Sequence, residues 1–205
     1  MHSISPGPTA LLFATALFTT AALTSPALAQ NHAGPGNARH QCEPWLDGRS
    51  EHRVPPQCRE LAGQLNQVRR ATSAFYSYDV AVAAGWDTAI SECVESPMGG
   101  MGFHIANLEE LGNPDFAGTL SVLRPEVLLF APTADGSMEF LGVEYIVPGP
   151  LSEEAPEILG QPLEYNPRLD IWALHVWIGK PNPDGIFANF NPNVSCEFAP
   201  PAPAE

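Results

Sequence analysis

The chain has 205 residues and a formal net charge of −14, with 9 Lys and Arg against 23 Asp and Glu, and 44% of its residues are apolar. That length is enough for one domain with a real core. The charge is uneven: residues 71–205 contain only Arg124, Arg168 and Lys180 as cations, and so acidic a surface repels phosphate backbones and argues against nucleic acid as a partner.

Residues 10–23, "ALLFATALFTTAAL", form an apolar run too short to span a bilayer as a helix. A Ser-Pro break and Ala27-Leu28-Ala29 follow, a small-x-small pattern that predicts a signal peptide over residues 1–29 and export to the periplasm or the medium. The leader departs from the usual pattern in having no Lys or Arg. No later segment is long and apolar enough to cross a membrane, so none is expected as a partner after cleavage. Residues 30–41 and 197–205 are rich in Gly or Pro and read as flexible tails around one domain, 42–196. Four cysteines in an exported chain predict two disulfides. Of the three pairings, Cys42–Cys58 and Cys93–Cys196 are favoured. A zinc site on all four lacks the C-x2-C knuckles that such sites use.

After Cys58, the residues Leu61, Leu65, Val68, Thr72 and Phe75 fall on one face of a helix. A second, short helix is expected over residues 78–84, ended by Gly85. From Trp86 onward the pattern is that of strands: "DTAISECV", "MGFHIA", "EVLLF", "SMEFLGVEYIV" and "LDIWALHVWI". Asp135-Gly136 marks a hairpin turn between the third and fourth, and Pro-rich joints such as "VPGPLSEEAPEILGQP" separate other runs. The fold class is therefore α+β, an N-terminal helical segment packed on a mostly antiparallel β-sheet or barrel.

Side chains two apart share a face of a strand. By that rule Met101, Phe103 and Ile105 lie opposite Gly102, His104 and Ala106. Leu141, Val143, Tyr145 and Val147 lie opposite Gly142, Glu144 and Ile146. Likewise Trp172, Leu174 and Val176 lie opposite Ala173, His175 and Trp177. In each strand an ionisable residue sits beside Gly or Ala, a pattern that suits a lined cavity. If these faces converge, His104, His175 and Glu144 form a two-histidine, one-carboxylate set for one divalent transition metal: zinc, iron, manganese or copper. Glu126, Tyr145 and Trp177 are candidates for the same pocket, and Glu144 or Glu126 for a catalytic base. A metal-free polar pocket, or three separate structural residues, would account for the same pattern. There is no G-x-S-x-G elbow, P-loop or dinucleotide fingerprint.

The segments "CVESPMGGMGFHIAN", "PEVLLFAPTADGSMEFLGVEYIVP" and "LDIWALHVWIGKPNPDGIFANFNPNVSC" resemble a group of exported bacterial proteins of unknown function. The shared pattern runs through Cys93, Met101-Gly102, His104, Pro125-Glu126, Gly142 to Tyr145, Leu174-His175, Trp177, Asn182-Pro183, Gly185, Phe187 and Cys196. The resemblance implies an exported single domain with functional weight on those positions, and it supplies no reaction. Members of the group more often carry Tyr or His where this chain has Phe103. Three roles remain open: a domain that binds a metal ion or small molecule, a metal-dependent enzyme of cupin-like oxidoreductase, lyase or hydrolase chemistry, and a structural homo-oligomer.

Overall fold

The computed structural model describes residues 42–46, 54–112 and 118–200. The expected signal peptide and N-terminal tail lie outside them. Of the C-terminal tail, 197–200 are described, and Ala199 N–H donates back to Cys196 O at 2.9 Å.

Two helices lead the described domain. Helix α1 is Arg59–Ala71 and α2 is Tyr78–Ala83. On α1 the buried residues are Ala62, Leu65 and Val68, while Leu61 is only half-buried. Thr72 is buried at the helix end, its hydroxyl donating to Val68 O at 2.9 Å. Phe75 lies beyond the helix, with its ring 4.7 Å from that of Trp86. Helix α2 stops as expected. Gly85 has φ +103°, its N–H donates to Val82 O, and Trp86 N–H reaches back to Ala81 O, the paired bonds of a Schellman end.

The strands are β1 Thr88–Ala89, β2 Val94–Ser96, β3 Gly99–Ala106, β4 Val127–Pro132, β5 Met138–Pro148, β6 Glu157–Ile158, β7 Gln161–Pro162, β8 Glu164–Asn166 and β9 Ile171–Val176. A short helix, α3 (Leu108–Gly112), follows β3. The main sheet has the order β1-β3-β4-β5-β9-β8, with β2 also on β3, and its pairs are antiparallel. It is an open sheet path, so of the two expected forms the sheet is the one found. Tyr76 and Tyr78 set their rings against Phe140 and Phe130, each at 5.0 Å, which places the helical segment over one face. Leu128, Phe130, Phe140 and Val143 are buried in this core. The disulfides are Cys42–Cys58 and Cys93–Cys196.

Three expectations need correction. "DTAISECV" is not one strand but two fragments, because Ser91 leaves the ladder to bond His104. The Pro-rich joint before residue 163 contains a hairpin, β6–β7, turned by Leu159 and Gly160 with φ 56° and 62°. A leucine at positive φ is uncommon, and nothing in its side chain announces the turn. Finally, Met101 does not stay with Phe103 and Ile105. Val94 pairs with Gly102 but Glu95 pairs with Gly100, so Met101 is an extra residue in β3. The bulge, with Gly102 at φ +78°, reverses the alternation and turns Met101 toward the side occupied by His104.

Candidate metal centre

The three ionisable residues come from three strands of the sheet, on the face away from the helices. Glu144 pairs directly with His175 between β5 and β9, so their side chains stand together on one face. His104 reaches the same face from β3 across the intervening β4, where it pairs with Leu129. All three are buried: His104 is 7% exposed, Glu144 4% and His175 5%. His104 Nε2 lies 3.3 Å from His175 Nε2 and 3.8 Å from Glu144 Oε2. His175 Nε2 is 3.6 Å from Glu144 Oε1. Together they form a group able to hold a metal ion. Donors about 2.1 Å from a tetrahedral centre lie about 3.4 Å apart, so these separations fit one ion of zinc size.

The two histidines are held from behind. Ser91 Oγ accepts the backbone N–H of His104 at 3.3 Å and meets its ring Nδ1 at 2.8 Å. With the ring proton on Nδ1, donated to Ser91, Nε2 presents a lone pair to its neighbours. The ring of His175 stacks on Trp177 at 6.1 Å with 13° between planes. Its Nδ1 is buried without a hydrogen-bond partner among the described residues. Asn189 is the polar neighbour of this ring and favours its charged form. Its amide N–H is taken by Glu164 Oε2 at 2.8 Å, leaving its carbonyl oxygen as the acceptor available toward Nδ1.

Burial sets the protonation of the three donors. Leaving water lowers His104 to about 4. His175 falls to about 3, from burial and then from the His104 ring. Burial, helped by the charge of Glu126, pushes Glu144 up to about 8. Near pH 7 the three are therefore two neutral imidazoles and a carboxylic acid, and all three donors are held in common without net charge.

The donors lie along a cavity of about 630 Å³, within the range that takes a small organic molecule. Met101, Ile146 and Ala173 line it beside the ligands, and edge strand β8 with the loop after it (residues 164–169) and residues 189–190 complete its walls. The glycines next to the ionisable residues do not provide that space. A Cβ on Gly142 would meet Val176 O at 2.3 Å, and one on Gly102 would meet Phe130 O at 2.3 Å. They are needed for close backbone approach, and the open volume comes from alanine and from the walls.

The remaining candidates sit elsewhere. Glu126 is buried, and its Oε2 accepts the N–H of Ile146 at 3.1 Å, supplying an acceptor where β4 has ended beside β5. Burial raises its carboxyl to about 7. Tyr145 points to the opposite face from Glu144, and its hydroxyl donates to Val122 O at 3.1 Å. Trp177 backs His175, its indole N–H donating to Ala188 O. None of the three lines this cavity. Ser91, Asn189 and Glu164 were not singled out from sequence, because they lie in loops or a three-residue strand without periodicity. Comparison with protein-family models, with curated proteins and with solved structures finds no match to this chain.

Proposed function

We propose that this chain is an exported domain holding one divalent transition metal on His104, Glu144 and His175, and that the metal serves the binding of a small molecule in the adjoining cavity. The observation that carries this reading is the meeting of the three donors, 3.3 to 3.8 Å apart, beside that cavity. Two imidazoles and a carboxylate with no sulfur suit zinc, iron, manganese or copper and leave coordination positions open. The two disulfides fit an oxidising compartment. Among the described residues no helix is long and apolar enough to cross a membrane.

A metal-dependent enzyme is the second reading, and the cavity beside the donors is what favours it. A metal bound there would supply a Lewis-acid centre. Ser91 would orient His104, Trp177 would hold the plane of His175, and Glu144 would release its proton as it became a ligand. Glu126 is tied to the backbone of β5 and does not reach the cavity, so its role is to keep the end of the sheet in register.

The test is metal content. Mature protein purified without a histidine tag should carry about one equivalent of a transition metal by elemental analysis, falling below about a tenth in His104→Ala and His175→Ala. Circular dichroism should show both variants folded. Wild-type protein that stays metal-free after incubation with zinc, iron, manganese and copper would refute the reading.

A further inference from the structure

The cavity has a feature that metal binding leaves unused. Of the cations between residues 71 and 200, Arg124 pairs with Glu110 at 3.6 Å and Lys180 with Glu139 at 2.7 Å. Arg168 lines the cavity, and no side-chain partner holds it among the described residues. The acids nearest in sequence are already engaged. Asp170 Oδ1 accepts the Tyr165 hydroxyl at 2.7 Å, and Glu164 Oε2 accepts from Asn189 at 2.8 Å. A guanidinium without an anion is unexpected in a chain of net charge −14.

Its position is fixed by the loop that carries it. Residues 167–170 join β8 to β9, whose last pair is Asn166 with Ile171. Asn166 Oδ1 accepts the backbone N–H of Arg168 at 3.0 Å and of Leu169 at 3.3 Å. Asp170 O accepts Gly149 N–H at 2.7 Å, closing the far side. Next to Arg168 the same loop offers Leu169 to the cavity with 62% of its surface exposed. Ile90, Val94, Ile146 and Ile171 continue the apolar lining.

An ordered loop that places an unpaired arginine and a bare leucine along an apolar-walled cavity matches a ligand with an anionic end and an apolar body. One guanidinium in acidic surroundings suits a monoanion better than a dianionic phosphate, and its fork fits a carboxylate. We propose that the cavity binds a small organic acid, with its carboxylate on Arg168 and its apolar body against Leu169 and the isoleucines. Its far end then points along the cavity to His104, Glu144 and His175. That last feature alone rests on the metal reading.

The probes are 3-phenylpropanoate and its uncharged amide, titrated calorimetrically into the mature protein at low salt, metal-free and again with zinc. The acid should bind at least about tenfold more tightly than the amide. Arg168→Gln should abolish that preference while leaving zinc content unchanged, since the residue is exposed and is not one of the three donors. Equal binding of acid and amide, binding of neither at millimolar concentration, or an unchanged preference in Arg168→Gln would overturn the proposal. Failure of the metal reading is seen separately: the protein would take up no zinc, yet its metal-free form would still prefer the acid.

Discussion

Glu144 is the residue on which the account turns, because an acid of pKa about 8 among neutral histidines makes the metal-free domain sensitive to pH in a defined direction. A carboxyl held above its unfolded value keeps its proton in the folded state, so its contribution to stability is whole below about pH 4.5 and is lost as pH rises toward 8. Glu126 acts in the same sense up to about 7. His104 and His175 are held below their usual value of 6.5, so protonating them costs stability as pH falls from there toward 4. Metal-free protein should therefore melt highest near pH 5 to 6.5 and lose stability on both sides. In Glu144→Gln the alkaline loss that remains should be that of Glu126 alone, running through about pH 7. Melting temperatures across pH check this, and a metal-free wild type that gains stability from pH 6 to 9 would contradict the burial of a neutral Glu144. At this scale much was legible. Alternation put His104, Glu144 and His175 on faces with small neighbours, and pleating did the rest. Ser91, Asn189 and Arg168 were not legible as partners of the site, since loops give no periodicity from which to read direction.

At the scale of the elements, the site depends on β5 and β9 lying close, and Gly142 is what allows it. Besides the clash with Val176 O, a Cβ there would stand 3.2 Å from the Trp177 Cα, so both obstacles are backbone and neither can swing aside. Gly142→Ala should cost about 1–3 kcal/mol by urea unfolding and weaken metal binding, since the ladder that starts beside it runs through Val143–Val176 to Glu144–His175. Gly63 of α1 is the control. A Cβ there meets nothing within 4 Å, and Gly63→Ala should stabilise by about 0.5–1 kcal/mol through helix propensity. A Gly142→Ala protein as stable as wild type would show that the close approach is not required. Strand existence and the hairpin at Asp135-Gly136 were readable because β-branched runs and a turn dipeptide announce them. The bulge at Met101 was not, because an extra residue in one strand is defined only by its partner. For the same reason the cavity lining could be anticipated at Ala173 and not at Met101.

For the whole molecule, the Cys93–Cys196 bridge spans 103 residues of sequence and ties the segment after β9 to the start of β2. Asn191 joins Gly100 in a bridge along the same line, so the C-terminal segment that carries Asn189 is anchored against the sheet close to His104. The domain's acidity and its one unpaired cavity arginine then act together: the surface discourages anions generally, and the cavity accepts one of the right shape. The account turns on the three donors holding a metal, and X-ray absorption on zinc-loaded protein examines that most directly. The account predicts about one zinc per chain with nitrogen and oxygen donors at about 2.0–2.2 Å, including two imidazoles and no sulfur. A sulfur shell, or a spectrum left unchanged in His104→Ala, would contradict it.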